Sequence, residues 1–235
     1  MLNLGTEKIT ALHLGGEQIQ KAYLGETLVF GAGTGPGPSR LPEGYAEVEY
    51  IQSSGTQKID TGQKPFANII ITIDFSPMED GSSVQKNAFY SYYYYSANSF
   101  WRFSLTWKND GLWLYCGNAS AANKTLSADN TARRMIVAVD GFNKKAFVDG
   151  EPVASLSSAN TTFSTNMPTI KLLGDSGTNL IAAKLYSCKI ENSAGILLDF
   201  VPCIDPTGAV GLYDLVGGKF YGNAGTGAFI AGPTI

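Results

Sequence analysis

The chain has 235 residues, 17 of them Lys or Arg and 20 Asp or Glu, for a formal charge of −3, a length that fits one good-sized domain with a small appendage. Charged residues make up only 16%, against 27 Gly, 12 Tyr and 12 Phe, a balance that favours many short strands joined by tight turns. No run of Lys or Arg offers a counterion-releasing stripe for nucleic acid or a basic patch for a membrane surface, and apolar runs such as Ile69 to Ile71 and Ile196 to Leu198 fall far short of the roughly 18 residues that span a bilayer.

The N-terminus repeats itself every ten residues: Leu4-Gly5 through Ile9, Leu14-Gly15 through Ile19, and Leu24-Gly25 through Val29. Each copy reads as two short extended pieces around a glycine turn, the grammar of successive hairpins. About thirty residues bury too little surface to stand alone, so residues 1–30 are expected to pack on copies of themselves or on a larger scaffold, or else to lie as a small meander on the main domain. Residues 31–40 (Gly31-Ala-Gly-Thr-Gly-Pro-Gly-Pro-Ser39 and Arg40) hold no core-forming side chain in the Gly/Pro stretch and read as a linker. Residues 41–235 then suit a single all-β sandwich.

Within that remainder, Ile69 to Phe75 puts Ile69, Ile71, Ile73 and Phe75 on one face, as a half-buried strand does. Tyr90-Ser-Tyr-Tyr-Tyr-Tyr95 must aim rings both ways, so Tyr92, Tyr93, Tyr94 and Tyr95 divide between surface recognition and core filling. The Asp110-Gly111 dipeptide marks a hairpin, and a two-residue turn there predicts Trp107 opposite Leu114 and Leu105 opposite Cys116. One face then carries Trp101, Phe103, Leu105, Trp107, Leu114 and Cys116. The other carries Arg102, Ser104, Thr106, Lys108, Trp113 and Tyr115, aromatic rings among hydrogen-bonding groups, which is what a sugar's C–H face and hydroxyls need; rings covered by a neighbouring loop would give the same pattern. Met135 to Val139 is continuously apolar, as a strand buried on both faces would be, and Asp149-Gly150 marks a second hairpin. Asp175 and Asn179, around Gly174-Asp-Ser-Gly177, offer oxygens to Ca²⁺ without a spaced cation loop; a plain Asx turn accounts for them. A hairpin centred at Ser193-Ala194 predicts Cys188 opposite Asp199, and Gly217-Gly218 marks a last turn.

The only histidine is His13, in the repeat, so the larger part has no histidine base, triad or histidine metal ligand. A carboxylate pair remains available in principle, and Glu47 and Glu49 share a strand face, but no longer acidic alternation accompanies them. Cys116, Cys188 and Cys203 lack a C-x-x-C pair and are expected as free, mostly buried thiols. No cofactor is implied. The first residues carry no basic segment before an apolar core and do not read as a secretory signal.

Leu41-Pro-Glu-Gly-Tyr45, Glu47-Val-Glu-Tyr-Ile51, Ser53-Ser-Gly-Thr-Gln57, Ile59-Asp-Thr-Gly62, Ala146-Phe-Val-Asp-Gly150, Leu185 to Ile190, Asp199-Phe-Val-Pro-Cys203 and above all Gly211-Leu-Tyr-Asp-Leu-Val-Gly-Gly-Lys-Phe-Tyr-Gly-Asn-Ala-Gly-Thr-Gly227 resemble a concanavalin A-like, laminin-G-type jelly roll of gut-bacterial surface proteins and phage or prophage tail proteins. The Leu-Gly repeat is similar to short attachment modules of phage structural proteins. The resemblance implies an all-β, two-sheet antiparallel jelly-roll sandwich behind a small β-hairpin repeat module, and often glycan binding, with no fixed binding residue carried over. The resulting expectation is a non-catalytic phage virion fibre, tail or head-fibre component outside the cell after lysis. Its expected partners are other virion structural proteins, a host surface polysaccharide and copies of itself in a homotrimer. The alternatives are a purely structural virion decoration or spacer protein and a carboxylate-only glycoside hydrolase.

Overall fold

The computed structural model describes residues 40–78, 86–96, 99–108, 111–118, 123–126, 134–141, 143–155, 163–175, 177 and 179–235, together with the backbone of six short strands before residue 32. Side chains of 95–96, 99, 107–108, 111–112, 118, 123–126 and 154 are outside this description, as are residues 32–39, Asn109 and Asp110. The chain divides into two compact units, Met1–Arg40 and Leu41–Ile235.

In the first unit the decapeptide period becomes three separate two-stranded antiparallel sheets: β1 (Asn3–Leu4) with β2 (Glu7–Lys8), β3 (Leu12–Leu14) with β4 (Glu17–Ile19), and β5 (Lys21–Leu24) with β6 (Thr27–Gly31). The closing pairs are Leu4↔Glu7, Leu14↔Glu17 and Leu24↔Thr27. The same register recurs at each period, so the repeat in sequence is a repeat in pairing.

The second unit is an all-β sandwich of two antiparallel sheets, with no helix among the described residues. The larger, eleven-stranded sheet runs β17 (Glu151–Ser155), β16 (Lys145–Val148), β15 (Met135–Asp140), β10 (Ile70–Pro77), β19 (Ala182–Asn192), β20 (Gly195–Ile204), β21 (Val210–Asp214), β22 (Lys219–Tyr221). Onto it are added β7 (Ala46–Glu47) beside β20, β8 (Ile51–Ser54) beside β19, and β23 (Ile230–Ala231) beside β8. The six-stranded sheet runs β14 (Asn123–Leu126), β13 (Gly111–Asn118), β12 (Ser99–Lys108), β11 (Lys86–Ser96), β18 (Lys171–Leu172), β9 (Ile59–Asp60).

Period-two alternation fills the space between the sheets. Ile69, Ile71, Ile73 and Phe75 are all fully buried, as the pattern requires, and meet Phe89, Phe103, Leu105 and Leu114 from the facing sheet in one apolar cluster. A fully buried aliphatic or aromatic side chain contributes about 1.5–3 kcal/mol, so this layer is the main source of cohesion. Met135, Val137 and Val139 join it, but the opposite side of β15 is not buried: Ile136 is 43% exposed. The continuous apolar run thus belongs to a strand covered on one face only. Next to it, on that outer face, Asp74 accepts two hydrogen bonds from Arg134, at 3.0 and 2.8 Å.

The Asp149-Gly150 hairpin forms as its sequence predicts, Val148 pairing with Glu151 and the two turn residues at φ +52° and +84°, the left-handed pair that a type I′ turn needs. The other Asp-Gly site differs. Lys108 pairs with Gly111, so Trp107 lies opposite Leu112, Leu105 opposite Leu114 and Phe103 opposite Cys116. The two linking residues are therefore Asn109-Asp110, two register positions from the expectation. A shift of two preserves which side chains share a face, and Phe103, Leu105, Leu114 and Cys116 are buried as expected. Cys188 lies opposite Phe200, not Asp199, because a bulge between Ile190 and Glu191 inserts one residue into the ladder. All three cysteines are free and buried.

The C-terminal glycine-rich string closes the sheet edge. The buried Asp214 accepts the backbone N–H groups of Asp199, Val216 and Gly217 at 2.9, 3.1 and 2.9 Å. Asn223 holds the last loop onto the segment before β9, accepting from Lys58 N–H at 3.1 Å and Gly225 N–H at 2.7 Å and donating to Gly227 O at 2.9 Å. Tyr45 stacks edge-on against Tyr213 with centroids 5.0 Å apart, and a second small cluster of Leu41, Val201, Cys203 and Tyr213 ties the start of this unit to β20 and β21.

Candidate functional site

The outer face of β11, β12 and β13 brings together most of the residues singled out from the sequence. Antiparallel pairing places Tyr90 opposite Ser104, Tyr92 opposite Arg102 and Tyr94 opposite Phe100. On the other side of β12, Thr106 lies opposite Trp113 and Ser104 opposite Tyr115. In both ladders, side chains at paired positions share a face. One surface therefore carries Tyr90, Tyr92, Tyr94, Phe100, Arg102, Trp113 and Tyr115, with Ser104, Thr106 and Asn87 beneath them.

Tyr93 points the other way. It packs half-buried against the core with Trp101, and its hydroxyl accepts a hydrogen bond from Asn166 Nδ2 at 3.3 Å. Alternation dictates this, since Tyr92 and Tyr94 occupy the outer positions. Tyr95 and Lys108 belong to strands β11 and β12, but their side chains lie outside the described residues.

Arg102 organises the surface. Its guanidinium lies 3.8 Å from the centroid of the Tyr115 ring and 5.4 Å from that of Tyr90, distances at which a cation is attracted to the ring face. Nε donates to Ser104 Oγ at 2.8 Å and Nη2 to Thr106 Oγ1 at 2.9 Å. Burial pulls the Arg102 pKa below its ordinary value, opposed by the neighbouring Tyr115 and Tyr90; an arginine stays protonated at physiological pH all the same.

Below it runs a chain of buried polar groups. Thr106 Oγ1 donates to Asn87 Oδ1 at 2.8 Å, which uses the hydroxyl's one proton, so Ser104 is the donor in the 3.2 Å contact between the two hydroxyls. Asn87 Nδ2 then donates to Asp175 Oδ2 at 3.3 Å, an oxygen that also accepts from Asn179 Nδ2 at 2.9 Å. Asp175 Oδ1 accepts the Gly177 N–H at 2.6 Å, the Asx turn that the sequence offered as the simpler reading. Among the described residues no group of three His, Cys, Asp or Glu is arranged to hold a metal ion.

The aromatic side chains form a continuous surface around this chain. Tyr90 and Tyr92 stack with centroids 6.1 Å apart, and Tyr92 meets Phe100 at 5.5 Å. Tyr94 is 56% exposed, whereas burial pushes the Tyr90 hydroxyl up to about 12, the nearby Arg102 opposing that rise. Trp113 is half-buried, and its Nε1 has no hydrogen-bond partner among the described residues. Such an arrangement offers ring faces, one cation and hydroxyls side by side, the complement of a polyhydroxylated ring.

Spacing in the sequence marked Arg102, Ser104, Thr106, Trp113 and Tyr115 as one face. It did not reveal Asn87 and Tyr90 as members, nor that Asp175, 88 positions from Asn87, anchors the chain of hydrogen bonds. Such long-range contacts leave no local signature.

The strand pairing thus defines a two-sheet antiparallel jelly-roll sandwich with a polar-aromatic outer face on its smaller sheet. No protein-family model and no curated protein matches the sequence. Solved structures with a similar fold include the CBM40 domain of the Ruminococcus gnavus IT-sialidase bound to α2,3 sialyllactose, at 18% identity and TM-score 0.45, over 63% of this chain and 91% of that one. A native heptameric SAP-like pentraxin from Limulus polyphemus is similar at 12% identity and TM-score 0.39, over 62% of this chain and 74% of that one. Trypanosoma rangeli sialidase with 2,3-difluorosialic acid is similar at 11% identity and TM-score 0.41, over 74% of this chain and 34% of that one. These likenesses are remote, and the fold assignment rests on the pairing described above.

Proposed function

We propose that the sandwich is a non-catalytic glycan-binding domain whose working surface is the outer face of β11, β12 and β13. The observation that carries this reading is the placement of Arg102 across Tyr115 and Tyr90, above a buried hydroxyl and amide chain that fixes its orientation. A saccharide on this surface gains ring stacking from Tyr92, Phe100 and Tyr115 and hydrogen bonds from Arg102, without any nucleophile or general base contributing. The Leu-Gly repeat and its recurring hairpin register support a modular attachment role for residues 1–30. On this reading the protein is a phage virion fibre or tail component, several copies of which act together on a bacterial surface polysaccharide and multiply a weak single-site affinity.

The test is binding of full-length protein to an array of bacterial surface glycans with sialyllactose included. A selective hit that Tyr92→Ala and Tyr115→Ala each weaken, with the thermal transition retained, supports the reading. A blank array with folded protein refutes it and favours a purely structural spacer. Release of reducing ends from a bound polysaccharide refutes the non-catalytic part alone.

A further inference from the structure

We infer that Arg102 makes this face selective for sugars that carry a carboxylate, such as uronic or sialic acids, over their neutral counterparts. The inference rests on the glycan-binding reading above and names its ligand class.

A guanidinium has five N–H donors. Two are engaged, Nε with Ser104 and one Nη2 proton with Thr106. Both Nη1 protons and the second Nη2 proton have no protein partner among the described residues, and Nη1 and Nη2 are the two nitrogens that form the far edge of the fork. The side chain is not wholly sealed off, since Arg102 is only partly buried. Two parallel N–H groups at this edge match the two oxygens of a carboxylate, the strongest partner such a fork finds.

The charge around it points the same way. No carboxylate lies within salt-bridge distance of Arg102 among the described residues. Among the described residues, none of the outward positions of β11, β12 and β13 is acidic. Asp175 stands behind Asn87 and Thr106; it pulls on the guanidinium from a distance without contacting it. The guanidinium is therefore held by neutral hydroxyls and ring faces and remains a positive charge that a ligand can neutralise. The other arginine in a comparable setting, Arg134 over Tyr186 at 3.8 Å, uses the same Nε and Nη2 atoms, but there they meet the carboxylate of Asp74, which neutralises the charge. The contrast separates a guanidinium whose charge is met by a carboxylate within the fold from one held only by neutral hydroxyls.

The experiment measures the affinity of the full-length protein for a panel of uronate- and sialate-bearing oligosaccharides, each paired with its methyl ester. The ester keeps the ring and hydroxyls and removes the charge. The expected result is binding of at least one acid at about tenfold or more tighter than its ester, in line with a charge-assisted hydrogen bond, with the gap narrowing as salt rises. Arg102→Gln is expected to abolish the gap, and Arg102→Lys, which keeps the charge without the fork, to leave part of it; thermal melting of both variants reports folding. If Arg102→Gln fails to fold, the esters and the Lys variant decide. Acid and ester binding equally, or a gap that survives in Arg102→Gln, overturns the inference while leaving a glycan-binding face in place. Absence of binding to acids, esters and neutral glycans alike overturns the glycan-binding reading with it.

Discussion

Replacing Thr106 by valine isolates the hydrogen-bond chain under the candidate site. Valine copies the shape of threonine and removes only the hydroxyl, which donates to Asn87 Oδ1 at 2.8 Å and accepts from Arg102 Nη2 at 2.9 Å. Thr106 and Asn87 are both fully buried, so the Asn87 carbonyl oxygen loses its donor where water does not reach it. Leaving one buried acceptor unsatisfied costs about 1–3 kcal/mol. Arg102, which is partly exposed, recovers part of its loss from solvent, so the net destabilisation is expected at about 1–3 kcal/mol, or about 2–4 °C in Tm for each kcal/mol in a domain of this size. All three tryptophans, Trp101, Trp107 and Trp113, lie in the six-stranded sheet, so fluorescence during urea denaturation of the full chain reports the sandwich without interference from residues 1–30. The same variant is expected to weaken glycan binding, because Arg102 loses one of the two bonds that aim it. A stability change below about 0.5 kcal/mol, the usual range for substitutions that touch no special feature, together with unchanged binding would refute the claim that this chain of bonds is closed and positions the arginine.

Burial pushes the Cys116 and Cys203 thiols up to about 12 and raises Cys188 as well, so the native protein should leave a thiol reagent such as DTNB unreacted at pH 8 and release three equivalents once unfolded in urea; fast reaction of any one in the native state would contradict the burial. Tyr90, pushed up to about 12 mainly by desolvation, is neutral in the fold where an unfolded tyrosine ionises near 10. Its contribution to stability is therefore complete below pH 10 and lost as pH rises toward 12. Because Arg102 holds that pKa down, Arg102→Gln should move the most alkaline step of the absorbance titration still higher, and an unmoved step would place the arginine elsewhere. Gly211→Ala should cripple the sandwich: a Cβ there would come within 3 Å of both the Tyr221 carbonyl oxygen and the Phe220 ring, so a Tm close to that of the native protein would show that β22 yields more easily than its pairing implies.

How much of this was legible in advance depended on whether information was local. The alternation at Ile69, Ile71, Ile73 and Phe75 named both a strand and its buried face, and Asp149-Gly150 specified its turn through the φ values only such residues adopt easily. Asp110-Gly111 misled by two positions because a register shift of two leaves every side chain on the same face, so the apolar pattern cannot tell the alternatives apart. Five tyrosines between Tyr90 and Tyr95 showed that rings face both ways, but not which; the bulge at Ala88, where Asn87 pairs with Thr106 and Phe89 with Leu105, sets that phase. Ile136 was unreadable as exposed, since whether a sheet's outer face is covered is decided by segments remote in sequence. The same holds for Asn87 and Asp175, whose meeting requires β11 and the turn after β18 to be brought together.

The residues that build the sandwich and those that would recognise a ligand lie under different constraints. The most distinctive string, Gly211 to Gly227, is occupied with architecture: Asp214 consumes three backbone N–H groups to shape one turn, and Asn223 fastens the closing loop to the segment at Lys58. Such residues serve a turn and a closing loop and carry no information about a ligand. The outer face of β11, β12 and β13 is under a different constraint. Its inward partners Phe89, Phe103, Leu105 and Leu114 fix where each outward position stands, yet no packing requirement dictates that those positions be Tyr92, Arg102 or Tyr115. Ser104 and Thr106 hold the Arg102 guanidinium over aromatic rings, and on the proposed function that aim serves the ligand, whereas the hydroxyls beneath it serve the sandwich.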